Sequence, residues 1–332
     1  MMLTKLTSRL PFREAAQIYG AMNGEAPSHL MSETVTEEVG ERVAHIAEKE
    51  CEMTLRAEQE GTMTQTKKPE RLYVQMDMTA YQTNERDETG KTLWKMAKIG
   101  VVYNENRQKG VRQSGREWKD NWKRGATQYF GSTKEHIDDI GKQLLAGALN
   151  EGMNWAHEVI FIGDGARCNW TLCQMYFPGA IEILDWSHAC GYNSLAAAAL
   201  YGEHTKRARQ CYAILEQFLW DGEVEKAIAS IEKRLNAMKA NMSDERKQKV
   251  RSTLSYFNNN KERMRYKAYR LKGYDIGSGS VESACRQVSG KRLKDCSMKW
   301  GKRNANGIIH IRCADLSGKI DAYWDEMLKK CA

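Results

Sequence analysis

Three acids and one histidine stand where metal-assisted chemistry on a phosphodiester could be carried. Asp77 interrupts the apolar alternation of RLYVQMDMTAY, Asp164 follows the apolar run VIFIG and precedes Gly165, and Glu282 falls early in SVESACRQVSGKRL, after a glycine-serine stretch. Cleaving a phosphodiester needs a nucleophile aligned on phosphorus and charge neutralisation on both sides of it. Two Mg2+ (or Mn2+) ions roughly 3.5–4 Å apart supply both. Such ions take oxygen ligands, mostly carboxylates, and keep several waters. Two or three convergent carboxylates on rigid elements are the least apparatus for that chemistry.

Singly, each acid has a plainer explanation. Asp77 suits an edge strand facing water, Asp164 a turn at a strand end, and Glu282 the favourable N-terminal dipole of a helix. Their joint distribution over the elements is what favours the chemistry. A fourth feature is Asp185-Trp186-Ser187-His188, which follows a predicted fifth strand. His188 could contact a scissile or flanking phosphate, or orient a water, with Asp185 in support. A satisfied structural histidine explains it equally well. The three-residue spacing brings Asp185 and His188 to one face if the chain turns helical there.

The elements that must position these groups follow from periodicity. Residues 12–60 read as two or three helices, with a stop at Gly24 and Ser32 as the cap of the second. Glu33, Glu37 and Glu38 on that helix would repel phosphate, so packing or dimer contact suits it better than DNA recognition. RLYVQMDMTAY and TLWKMAKIGVVYNE read as strands joined by a polar turn over 82–91, with a short third strand near 128–130. A helix capped by Ser132 or Thr133 follows, then the buried strand HEVIFIGDGA, the helix ARCNWTLCQMYF and the strand AIEILDWSHA. From Asn193 to about Lys272 the pattern is helical, and a last helix begins after Gly273–Gly279 with Ser280 as its cap.

The bulk numbers bound the partners. The chain has 332 residues, 41% hydrophobic and 28% charged, enough to bury a core. Its net charge of +8 is concentrated. Residues 251–272 carry seven Lys or Arg against Glu262, and residues 286–303 carry seven against Asp295. Two basic runs flanking a candidate active-site carboxylate favour phosphate contact over a merely solvated face. The expected DNA-contacting residues are Arg263, Arg265, Arg286, Lys291, Arg292 and Lys294. The 9 cysteines are scattered without a C-x-x-C pair, which argues against structural zinc and for reduced cytoplasmic thiols. The N-terminus has no apolar signal core, and the longest apolar run, Leu195–Tyr201, is too short to span a membrane.

The element order is strand, strand, strand, helix, strand, helix, strand, helical block, helix. A ribonuclease-H-like α/β domain with a helical insertion after its fifth strand has that order. The expected divisions are a helical segment over 1–68 with a candidate helix-turn-helix remnant, a first part of the catalytic core over 69–192, a helical insertion over 193–272, and a completion of the core over 273–332.

Four blocks are more specific: YVQMDMTAY, FIGDGARCNW, FPGAIEILDWSHA, and the long YFNNNKERMRYKAYRLKGYDIGSGSVESACRQVSGKRLKDCSMKW. Through them the chain resembles the transposases of Kra-type bacterial insertion sequences, relatives of the Mutator-like DDE transposases, over roughly residues 10 to 325. The resemblance implies a DNA transposase that cuts and joins element ends with divalent metal. Its acidic triad would fall on Asp77, Asp164 and Glu282, and its Asp-x-x-His element on Asp185 and His188. The spacing of the last two acids, 282 − 164 = 118 residues, leaves room for the insertion domain. Double-stranded DNA is the implied partner, with a homo-oligomer in the DNA complex. Relatives of this kind carry a further cysteine-rich N-terminal region, and this chain begins after it. The alternative expectation is therefore a truncated or decayed transposase that retains only DNA binding.

Overall fold

The computed structural model describes residues 1–64, 67–108, 121–294 and 298–329. Asp295, the acid counted in the second basic run, lies outside them. The strands are β1 (Arg71–Arg86), β2 (Thr92–Gln108), β3 (Asn121–Arg124), β4 (Gln128–Ser132), β5 (Glu158–Gly163) and β6 (Ile181–Leu184). The helices are α1 (Met2–Thr7), α2 (Phe12–Asn23), α3 (His29–Gln59), α4 (Ile137–Asn150), α5 (Arg167–Tyr176), α6 (Trp186–Tyr201), α7 (Lys206–Trp220), α8 (Val224–Met238), α9 (Asp244–Asn260), α10 (Tyr266–Lys272), α11 (Gly279–Ala284), α12 (Lys302–Leu316) and α13 (Ile320–Lys329). A π-helical stretch, Cys285–Lys294, continues α11. The sheet is mixed with helices in an α/β chain, and its strand order is β3-β2-β1-β5-β6, with β4 paired to β2. The chain divides into two compact units, Met1–Ile160 with Leu172–Ala180 and Gly279–Ala332, and Phe161–Thr171 with Ile181–Ser278.

In the first unit, α2 stops where expected. Gly24 takes a left-handed φ of 86°, open to glycine without strain, and its N–H closes on Gly20 O. The next helix starts earlier than expected. Ser28 caps α3, its hydroxyl accepting from Met31 N at 3.1 Å. Ser32 is buried inside the first turn and donates back to Ser28 O. Both serines can cap, but only Ser28 sits in the extended conformation an N-cap needs. The acidic face of α3 is engaged in packing: Glu37 meets Asn304 and Glu41 meets Arg303 on α12. The two helices cross so closely at Gly40 that a Cβ there would lie 2.8 Å from Gly307 Cα.

β1 and β2 form a hairpin longer than the alternation suggests. The pairing runs through Gln82↔Trp94 to Arg86↔Thr92 across residues read as a turn. Thr83 Oγ1 donates to Leu93 O, Lys95 pairs with Glu85, and the reversal is confined to the Asp87 carboxylate, which accepts from the N–H groups of Thr89 and Lys91. β3 was not anticipated. Ser132 ends β4 rather than capping a helix, because it pairs with Lys98 in the ladder and its hydroxyl accepts from Lys134 N. α4 starts after His136 instead.

The two faces of this sheet have different cover. Cross-strand pairs Gln75↔Val101, Asp77↔Ile99 and Thr79↔Ala97 share one face. Ile99, Val101, Ala97 and Tyr81 there pack with Val281, Ala284, Val288 and Ile308 in one buried cluster. The other face meets α4, with Leu144 packed over Gly100. Asp77 therefore stands on the face that carries α11 and its π-helical continuation.

In the second unit, β6 stops at Leu184, and DWSHA is not strand. Asp185 leaves the extended region as the N-cap of α6, so the helical block opens at Trp186 rather than Asn193. Thr205 and Ser243 cap α7 and α9 in the same way. The block is held by aromatic contacts, Tyr192 stacked on Tyr256 at 3.7 Å and Trp186 edge-on to Trp220 and Tyr266. Among the described residues, no helix is long and apolar enough to cross a membrane.

Candidate active site

The first unit holds Asp77 and Glu282. Asp77 is half-buried on β1, its Oδ1 accepting from Met78 N at 2.7 Å. Its Oδ2 lies 3.8 Å from Cys285 Sγ, which donates to it. Burial, and then the neighbouring Asp77 charge, push the Cys285 thiol far above its ordinary range, so it stays protonated and acts as a donor. Glu282 is half-buried in the first turn of α11. Ser280 is not the cap of that helix, which already begins at Gly279; its hydroxyl instead accepts from Arg124 Nη2 at 2.5 Å. Val281 N donates to Gln75 Oε1 at 3.1 Å, which ties the Glu282 turn directly to the Asp77 strand.

The second unit holds Asp164, Asp185 and His188. Asp164 follows β5, and its Oδ1 accepts from Ala166 N at 2.9 Å and Asn169 Nδ2 at 2.7 Å, which fixes the carboxylate plane. Tyr256 donates to Asp164 O at 2.6 Å, and its ring covers Gly165, whose φ of +89° and missing Cβ the close approach requires. Asp185 is fully buried. Its Oδ2 accepts from Ser187 Oγ at 2.6 Å, His188 N at 2.8 Å and His188 Nδ1 at 2.8 Å, and its Oδ1 accepts from Ser278 N at 2.6 Å. Burial alone would raise the Asp185 carboxyl; the bonds from His188, Ser187 and Ser278 outweigh it and hold the group down to about 2. His188 lines an open groove with Ser187, Gly191, Tyr192 and Leu195.

The basic residues divide by environment. Arg286, Lys291 and Lys294 are exposed on the π-helical stretch. Arg292 is not: it is 1% exposed, and the expectation that it contacts DNA is corrected. Its Nε donates to Thr7 O at 2.7 Å, and its guanidinium lies 4.5 Å from the ring centres of both Phe12 and Trp300. Cation–π contact and burial turn it into a core residue. Arg263 is bonded to Glu182 and lies over Trp170, and Arg265 bridges Glu225 and Glu262. Both are partly exposed and paired with protein carboxylates.

Sequence reasoning missed Gln75, Asn169, Tyr256 and Ser278. Only Asn169 had a local signal, an amide five residues after an Asp-Gly turn; the others act across long sequence distances.

No protein-family model matches the chain, and no curated protein does. The structure is similar, at 13% identity and a TM-score of 0.23, to the Drosophila P element transposase strand transfer complex. The match covers 79% of this chain and spans 66% of that chain's length. A likeness of that size leaves fold and activity to be argued from the residues.

Proposed function

We propose that the chain is a metal-dependent DNA strand transferase, a DDE transposase of the Kra-type bacterial insertion-sequence group built on a ribonuclease-H-like core. What carries the reading is the distribution of acids over the sheet order. Asp77 is on β1, Asp164 directly follows β5, the next strand in the order, and Glu282 is on the helix bonded to β1 through Gln75. Glu158 N bonds to Glu70 O, so β1 and β5 start together, and each acid follows its strand's first residue by the same interval (77 − 71 = 6 and 164 − 158 = 6). The residue resemblance over the four blocks supports the finer assignment.

The donor chemistry fits Mg2+ or Mn2+. The carboxylates of Asp77, Asp164 and Glu282 are hard oxygen ligands of the kind such ions take. Bound ions would supply activation of the attacking oxygen and stabilisation of the leaving one. The protein's own groups do the rest. Asn169 keeps the Asp164 carboxylate in one plane. Asp185 holds His188 through Nδ1 and so fixes the orientation of the imidazole that contacts a phosphate. Arg286, Lys291 and Lys294 contact the DNA backbone and set register without reading sequence. Residues 193–272 form the insertion domain, and element-end and target duplexes are the substrates of a DNA-bound homo-oligomer.

The test is a strand-transfer assay with purified chain, Mg2+ and labelled element-end DNA. Joined product is expected. Binding without cleavage would instead identify a remnant that only binds DNA, and nicking without joining would identify a nuclease.

A further inference from the structure

Gln75 is fully buried in β1, two residues before Asp77, so both side chains leave the same face of the strand. A primary amide in a sheet core is costly unless both of its ends are bonded. Both are: Nε2 donates to the Tyr103 hydroxyl at 3.2 Å, and Oε1 accepts from Val281 N at 3.1 Å. Val281 precedes Glu282 in the first turn of α11, where backbone N–H groups have no helical partner. Gln75 thus supplies an acceptor the helix itself cannot.

Its support is fixed in turn. The Tyr103 ring stacks on Tyr73, with centroids 4.9 Å apart and planes 8° from parallel. The Arg124 guanidinium lies 3.3 Å over its other side. Arg124 then donates to Ser280 Oγ at 2.5 Å. The two residues ahead of Glu282 are therefore held separately, Val281 from β1 and Ser280 from β3, and both holds meet at the Tyr103 ring. A residue kept only to fill the core would be apolar here, since Met or Leu has similar volume without the burial cost of an amide.

We infer that Gln75 is a positioning residue, fixing the turn of α11 that carries Glu282 against the face of β1 that carries Asp77, with Tyr103 and Arg124 holding it in that role. The inference rests on the reading of Asp77 and Glu282 as cation ligands. It assigns no contact with substrate to Gln75.

The test uses the full chain with Mn2+ as the probe, comparing wild type, Gln75→Leu and Tyr103→Phe. Three quantities are read: melting temperature, amide exchange across 279–285, and Mn2+ affinity by electron paramagnetic resonance. In Gln75→Leu, exchange at Val281 and Glu282 accelerates and Mn2+ affinity falls by about tenfold or more, the range lost with an orienting partner of a metal ligand. Tyr103→Phe keeps the ring and loses only the hydroxyl, so it folds and shows a smaller loss of the same sign; it decides the matter if Gln75→Leu fails to fold. Unchanged Mn2+ affinity in the folded variants, whatever the melting temperature does, overturns the inference alone. A wild-type chain that takes no Mn2+ overturns the cation-ligand reading and the inference with it, and the exchange data still report whether the clamp exists.

Discussion

His188 Nδ1 donates to Asp185 Oδ2 across 2.8 Å, and the two partners differ sharply in environment: the imidazole side chain is 40% exposed and the carboxylate 1%. An ionised carboxylate with so little water must be satisfied by the protein, and four donors reach it, two of them backbone N–H groups. Because Asp185 accepts, the proton belongs on Nδ1. The buried partner fixes the tautomer and the exposed partner meets whatever enters the groove.

Asp185 makes stability depend on acid. Its folded carboxyl titrates at about 2, below the ordinary 3.8, so its contribution is fully present above pH 4 and is lost as the pH falls from about 4 to about 2. The difference corresponds to roughly 2 kcal/mol. Asp185→Asn should lower the melting temperature at neutral pH and flatten the acid-unfolding curve over that window, because an amide turns donors toward donors. Acid-unfolding curves that superimpose for the two proteins would remove Asp185 from this role.

Asp77→Ala and Asp164→Ala should each abolish Mg2+-dependent cleavage, a loss beyond the roughly ten- to hundredfold typical of a group that only orients a metal ligand. Folding should survive. Each substitution gives up only the bonds to Met78 N, or to Asn169 and Ala166 N, of a half-buried side chain. Gel-resolved cleavage and calorimetry on the same preparations check both halves. Full cleavage by either variant would break the assignment.

The basic stretch should separate into two behaviours. Lys291→Gln and Lys294→Gln should weaken binding to all duplexes alike and reduce the log–log salt slope by about 0.9 for each lost phosphate contact. Arg292→Met should leave that slope unchanged, since its guanidinium is enclosed by Phe12, Trp300 and Thr7 O. It should instead destabilise the chain by on the order of 2 kcal/mol, the effect of breaking a buried bonded contact. Salt titrations of binding and melting curves for the three variants distinguish surface from core.

The contrast between Lys291 and Arg292 marks how far the sequence is legible. A count of basic residues identifies a run but not which member turns inward, because two of the groups that enclose Arg292, Thr7 and Phe12, are far back in the chain. The place of Asp164 at the end of β5 was legible because the apolar run VIFIG ends on Asp-Gly, a local signal. DWSHA misled because hydrophobicity continues through Trp186 and Ala189, while the decisive event, Asp185 capping α6, depends on one side chain. Gln75 was hidden for a third reason. An alternating strand tolerates a Gln on either face, and its bonds reach Tyr103 and Val281, neither of which is near it in sequence. Most element types could be read from local pattern; caps were read wrongly where two serines competed, and the clamp on α11 is tertiary.

His188→Ala tests whether the histidine acts on substrate or only on the fold. Removing the imidazole leaves Asp185 Oδ2 with Ser187 Oγ and the backbone N–H at position 188, and leaves Oδ1 with Ser278 N. The carboxylate keeps three donors, so the loss should be about 1.5 kcal/mol, the low end for one hydrogen bond to a charged group. The side chain is 40% exposed, so little apolar burial goes with it. Activity should fall much further, by at least about tenfold, comparable to losing the second-layer support of a metal or phosphate site. Asp185→Asn should reproduce part of that fall, since the tautomer of His188 is then no longer enforced, and it should add the stability loss that His188→Ala lacks. The opposite pattern, a large drop in melting temperature for His188→Ala with activity reduced only in proportion to folded protein, would make the pair a structural pin between the end of β6 and the first turn of α6. Measuring cleavage per folded molecule for both variants, beside their melting curves, separates the two.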